Sequence, residues 1–245
     1  MIRGWSAVYL RELFILRRRL PKLLPAWSVT PLLYIIAFGY AVGRHVAMGE
    51  HSYLEFLLPG LVAMSSMTQA FAISSEINIA RFYWHIFDEF QAAPISNLAY
   101  VLGEVAAGMT RALLASGVIL ILGMLFGVTL SCGFFFWGAV LLNSFVFASL
   151  AVGLAMHVKS HADQTLLTNF IITPMAFLGG TFFPLAHMPG WAQTLLGLLP
   201  LTHAAKAVRS AALAQSVDPV DYLVLAGAGA VCFIFAFLSV NQAKA

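Results

Sequence analysis

Charge is what this sequence has least of. Only 9% of its 245 residues are Asp, Glu, Lys or Arg, against 61% apolar, where a soluble domain carries roughly 25% charged residues. That scarcity excludes a soluble globular protein and a disordered chain. Thirteen basic against ten acidic side chains leave a net charge of +3, too weak a field to track a phosphate backbone, so nucleic acid is excluded as a partner. Two cysteines, Cys132 and Cys232, make neither a disulfide framework nor a zinc cluster. None of the four lysines, Lys22, Lys159, Lys206 and Lys244, follows a glycine, so the G-x-x-x-x-G-K-[ST] loop that cradles nucleotide phosphates is missing. The H-E-x-x-H zinc motif is absent too, and Ser131 in GVTLSCG lacks the G-x-S-x-G elbow. His157 and His161, four apart, are two ligands where a zinc site needs three or four. The expectation is a chain with no catalytic residue, no cofactor and no metal of its own.

What is present is long charge-free runs. A helical span needs about 20 apolar residues. Such runs lie between Lys22 and Arg44, Glu55 and Glu76, Arg111 and Lys159, Asp163 and Lys206, and Asp221 and Lys244. The third run is long enough for two spans and is divided near Gly127, Ser131 and Gly133. The fourth is crowded with proline after Pro184. These runs predict an all-α integral membrane protein, a single domain over 1–245, with six transmembrane helices near 24–44, 56–77, 100–126, 134–157, 164–183 and 221–242. Segments such as Ala112 to Leu125 are apolar throughout, which excludes the alternating pattern of a barrel strand. Glu104 and Arg111 are seven apart, share a helix face and are placed to pair. The first apolar run is read as an uncleaved span rather than a signal peptide, because it is span-length and no clear small-x-small site follows it.

Three segments do not span. Residues 1–22 place Trp5, Tyr9, Leu13, Leu16 and Leu20 at helical spacing with arginines elsewhere, which predicts a helix lying in the headgroup region. Residues 80–96 hold Asp88 and Glu89 among Phe82, Trp84, Phe87 and Phe90. A docking helix and an interfacial loop on lipid headgroups fit this loop equally. Residues 184–214 hold Lys206 and Arg209, each costing about 2.5–3.5 kcal/mol at a bilayer centre, and Pro200 breaks any single helix. Two short helices, about 189–199 and 201–214, folded back at one membrane face, are expected. Ten of the thirteen basic residues then fall on one side of the six spans, leaving Arg44, Lys206 and Arg209 for the other. The positive-inside rule makes both termini cytoplasmic.

Three stretches carry a family likeness: YLEFLLPGLVAMSSMTQAF (53–71), FDEFQAAPISNLAYVLGEV (87–105) and ITPMAFLGGTFFPLAHMPGWAQTLLGLLPLTHAAKAVR (172–209). In these the chain resembles the ABC-2 permeases, the membrane subunits of type-2 ATP-binding cassette exporters, and among them the nodulation-factor export permeases. The resemblance implies a multi-pass permease of the bacterial inner membrane in which the 80–96 loop is a coupling helix, with Phe87, Asp88, Glu89 and Phe90 meeting the ATPase. It implies partnership with a second copy of the chain and with two copies of a separate ATPase that carries ATP and Mg. The cargo expected is amphipathic, and glycan-, lipid- or drug-like.

Six helices are few to enclose such a cargo, so the route is expected between two copies. Ser65, Ser66 and Gln69 in span two, with Thr168, Asn169 and Thr173 in span five, are the polar residues expected to line it. Phe182 and Phe183 are expected to close its outer end. For each polar residue the competing reading is helix-packing glue. Two other functional classes remain, a non-transport membrane scaffold and an intramembrane enzyme, the second disfavoured by the missing catalytic motifs.

The charge asymmetry makes a direct prediction. With Cys132 and Cys232 replaced, single cysteines at Gln193 and Gln215 react with an impermeant maleimide on intact cells, and one at Ser160 does not. Labelling at Ser160 with Gln193 silent inverts the topology.

Overall fold

The structure is a computed structural model that describes residues 4–42, 52–84, 86–158, 160–185 and 188–243. Among these residues the α-helices are, in order, α1 (Trp5–Tyr34), continuing as a π-helical segment Ile35–Val42; α2 (Tyr53–Phe71); α3 (Ile73–Phe82); α4 (Ile86–Ala92); α5 (Asn97–Leu125); α6 (Phe134–His157); α7 (His161–Leu167), joined through a π-helical segment Thr168–Ile172 to α8 (Thr173–Leu178); α9 (Gly190–Leu196); α10 (Pro200–Ala212); and α11 (Pro219–Gln242). No strand occurs among the described residues.

Among the described residues, five helical stretches are long and apolar enough to cross a membrane: Trp5–Gly39, Tyr53–Phe82, Asn97–Leu125, Phe134–His157 and Pro219–Gln242. The second and fourth bury 78% and 72% of their most apolar window inside the chain, the first and last only 17% and 28%. Thus α2–α3 and α6 form the centre, and α1 and α11 form the rim. The sixth expected span, 164–183, is helical from 161 to 178 in three joined pieces. Its break has a local cause. Pro174 has no N–H to donate and its ring crowds the preceding turn; the helix widens there, and Thr168 O accepts from both the Thr173 backbone N–H and its hydroxyl (3.2 Å).

Other elements differ in detail from the sequence-based expectation. The headgroup helix and the first span are one uninterrupted helix despite Pro21, Pro25 and Pro31. The far end of that span, 43–44, lies outside the described residues. Along α1, Val8 and Leu16 are buried, and the Tyr9 hydroxyl meets Thr110 Oγ1 of α5 at 3.0 Å. Part of the apolar stripe therefore packs on protein. The folded-back pair is shorter than expected, at 190–196 and 200–212.

Glu104 and Arg111 do not pair. Arg111 is taken by Glu76 of α3 at 3.3 Å, which also binds Arg19 of α1 at 2.8 and 2.9 Å. Helices α1, α3 and α5 are thereby tied at one point. Nearby, Arg81 Nη1 donates to the carbonyls of Ala155 and Met156 (3.2 and 2.7 Å), covering the open C-terminus of α6. The Asn78 amide donates to Gln164 Oε1 (3.0 Å), and Gln164 Nε2 donates to Ser74 Oγ (2.7 Å), fastening α7 to α3. These ties gather at the end of the bundle that carries α4.

Small residues set the close contacts at the centre, as expected where dispersion rather than water exclusion drives packing. A Cβ on Gly153 would sit 2.4 Å from Phe235 and 3.3 Å from Ala236 Cα, so α6 and α11 meet at this distance only with glycine there.

Candidate functional site

A cavity of about 380 Å³ opens between α1, α2 and the α7–α8 run. Along α2 and α3 its lining reaches from Met64 to Ser75, about 16 Å of helix at 1.5 Å per residue. That is half the thickness of a bilayer core. Ser65, Gln69, Thr168 and Thr173, four of the six polar residues expected to line a route, face this one space. No charged side chain lines it among the described residues. Thr30, Thr68 and Ser75 add hydroxyls, and the rest of the wall is apolar and aromatic, with Trp27, Tyr34 and Phe177.

The polar residues divide by what they bond. Ser66 is fully buried and turned to the other side of α2, where its hydroxyl accepts from Asn143 Nδ2 (2.7 Å) and donates to Ala63 O (2.9 Å). The same Asn143 amide donates to Ala63 O at 3.0 Å. This is a packing tie between α2 and α6. Asn169 is exposed and outside the cavity lining. Thr168 donates its hydroxyl to Gln164 O (3.0 Å), and Thr173 is spent on its own helix as described. Half-buried Gln69 is different: its amide has no hydrogen-bond partner among the described residues. None of the described residues consumes its donors and acceptors.

One end of the cavity is shut by aromatic rings. Phe182 is buried, with its ring centroid 4.9 Å from both Tyr34 and Phe38 and 5.4 Å from Phe177. Its carbonyl accepts from the Tyr53 hydroxyl at 2.7 Å, which fixes the turn after α8 to the start of α2. Phe183 is half-buried and packs against the same core. Tyr34 and Phe177 belong both to the cavity wall and to this cluster. Sequence reading passed over Tyr34, Tyr53 and Phe177. The signal available was an aromatic residue inside each apolar run, common enough in membrane helices to point nowhere alone.

Behind the cluster stands Arg209 of α10. Its Nε donates to Phe56 O (3.1 Å) and Nη2 to Gly180 O (2.9 Å), while its guanidinium carbon lies 3.8 Å from the Phe56 ring centroid. A cation over a desolvated ring is worth about 2 kcal/mol. Burial pushes this guanidinium down to about 10, which leaves it charged at neutral pH. Gly60 makes room for the arrangement, since a Cβ there would lie 2.7 Å from Thr181 O and 3.0 Å from Arg209 Nη2.

At the opposite end, Phe87 of α4 is buried, its ring 5.5 Å from Tyr100 of α5, as is that of Phe90. Arg81 lies 5.6 Å over Phe87 and Arg11 lies 5.5 Å over Phe90. The aromatic side of α4 therefore turns inward, onto α5, and Glu89 is exposed. The side chain of Asp88 lies outside the described residues. His157 bonds Ser239 Oγ at 2.9 Å and stacks on Phe235, so it is engaged in packing.

Residues 6–213 match the family described as ABC-2 type transporter. The chain belongs to the ABC-2 type transporter family. It is 31% identical over 212 residues to the inner membrane transport permease YadH of Escherichia coli K12, covering 85% of this chain and 81% of that protein. It is 29% identical over 228 residues to nodulation protein J of Bradyrhizobium diazoefficiens, covering 88% and 83%. With the daunorubicin resistance ABC transporter permease protein DrrB1 of Streptomyces coeruleorubidus it shares 28% identity over 188 residues, covering 73% and 64%. This ABC-2 chain is a membrane-embedded transport permease, and the family match spans α1 to α10, both walls of the cavity and its aromatic closure included.

Removing the Phe182 ring costs about 3 kcal/mol, the lower end for a buried phenylalanine truncated to alanine. In a chain of this size that is about 6–12 °C. Phe182→Ala should lower the unfolding midpoint in detergent by that much, while Phe170→Ala, at a ring 77% exposed, should leave it nearly unchanged. Equal shifts contradict the closure.

Proposed function

We propose that the chain is the membrane subunit of an exporter driven by a separate ATPase, and that it moves an amphipathic glycan-, lipid- or drug-like molecule outward across the bacterial inner membrane. The reading rests on one observation above all: an uncharged cavity with an open Gln69 amide on one wall, aromatic rings on the other and a dry aromatic closure at one end. Hydrated ions gain nothing in such a space. A molecule with hydroxyls or amides on an apolar body finds partners for both. The relatives named for nodulation and for daunorubicin resistance support a cargo of this size and character. The scarcity of charge at mid-depth argues against proton coupling, which uses intramembrane acids as relays.

The rest follows from the same reading. Both termini face the cytoplasm, and the α7–α8 run acts as the sixth span. Two copies pair about a twofold axis, so that the cavities of both contribute to one route. Two ATPase subunits, holding ATP and Mg, dock on α4 of each copy. In this reading Asp88 and exposed Glu89 are the acids that meet the ATPase, and Phe87 and Phe90, packed on Tyr100, pass the displacement of α4 to α5. Closure of the ATPases on ATP then tilts α5 and, through the Glu76 ion pairs, α1 and α3.

The test is reversal of Asp88 and Glu89 to lysine in the permease–ATPase complex reconstituted in liposomes. Membrane insertion and unfolding temperature should be unchanged. Stimulation of ATP hydrolysis by the permease, and transport with it, should fall by about tenfold, the scale of a lost charge-assisted contact. Full stimulation in the reversed variant contradicts the docking edge.

A further inference from the structure

A second cavity, of about 360 Å³, lies between α10, α9 and the turn that follows α8, with Arg209 in its wall. It is the chemical opposite of the first. Lys206 and Arg209, three apart on α10 and hence on one face, both line it, with Gln193 and Thr202 beside them. None of its lining residues is acidic among the described residues. Two like charges at this spacing repel each other. The described lining nonetheless presents both to one space and holds no carboxylate beside them.

The geometry points to a phosphate-binding site. Arg209 is held by its bonds to Phe56 O and Gly180 O, which use two of its five N–H groups and leave the rest of the fork for the cavity. Gly180 adopts a left-handed backbone (φ +78°) that turns its carbonyl to Arg209. The cation is therefore pre-positioned, the condition under which a planar guanidinium binds an oxyanion well. Lys206 is exposed at the mouth and supplies a mobile point charge. A volume near 360 Å³ falls at the small end of ligand pockets and suits a phosphate with a short polar substituent.

The surroundings favour a lipid headgroup as the source of that phosphate. Helix α9 beside the cavity and the turn that follows it leave Trp191, Leu195 and Leu198 exposed, at 74%, 59% and 75%. A tryptophan and two leucines next to a cationic pocket match a segment seated at headgroup depth, where tryptophan concentrates. Acyl chains lie along those side chains while the phosphate meets Lys206 and Arg209. The inference depends neither on the transported cargo nor on which way the chain faces.

Native mass spectrometry of the full-length protein in detergent tests it, with phosphatidylglycerol, diacylglycerol of the same chains and inorganic phosphate as probes. Phosphatidylglycerol should be retained and diacylglycerol should not. Lys206→Glu and Lys206→Gln, at a side chain that contributes little to packing, should keep the elution profile of the unmodified protein. Each should weaken phosphatidylglycerol retention, the first by about tenfold. Displacement of the lipid by millimolar inorganic phosphate would identify a free-phosphate site; no displacement would identify the headgroup held with its chains. Equal retention of the two lipids, retention unchanged in both Lys206 variants, or no adduct with any phosphate probe would overturn the site.

Discussion

Hydrocarbon offers no hydrogen bonds, so every polar group within a span must find its partner inside the protein or face a water-filled space. That constraint orders this fold more than apolar contact does, since lipid tails are as apolar as the side chains they meet. Asn143 shows it in the interior. Its amide reaches across to Ser66 and Ala63 of α2 and ties α2 to α6 within the apolar interior. Apolar small residues then let the neighbours close in, as at Gly153 against α11.

The two ends of the bundle solve the same problem with different chemistry. At the end with α4, ionic and amide ties draw α1, α3, α5, α6 and α7 together through Glu76, Arg81 and Gln164. That end of the bundle is therefore cross-linked by side-chain bonds that join five helices. At the end with α9 and α10, one arginine organises the backbone. Arg209 accepts the company of two carbonyls and one phenyl ring, Tyr53 adds a third carbonyl at Phe182, and the aromatic closure is built on those anchors. His203 of α10 adds bonds to Asp221 of α11 (2.6 Å) and to Gly197 O (2.8 Å), so α10 is fastened there to both of its chain neighbours.

Much of this was legible in the sequence. The charge-free runs located the long helices because an unpaired charge in lipid is expensive, and Pro200 separated α9 from α10 because proline cannot continue a helix. What escaped was governed by contacts between distant residues. Glu104 and Arg111 share a helix face, but Glu76 arrives from another helix and takes the arginine. Ser65 and Ser66 are adjacent and alike in sequence, yet a rotation of 100° along the helix gives one to the cavity and the other to Asn143. Phe87 and Phe90 looked like a surface for a partner, and α5 covers them. Composition registers that a polar or aromatic residue must be satisfied, and only packing decides by what.

The central claim is that polar residues of α2 divide into those bonded within the protein and those left open to a route. Reaction of engineered cysteines with a charged, water-soluble methanethiosulfonate measures that division directly, in protein lacking Cys132 and Cys232. A cysteine at Gln69 should be modified rapidly, and one at Ser66, three residues and just under one helical turn away, should stay unreacted. Equal modification of the two, or a silent Gln69 beside a reactive Ser66, would contradict the account.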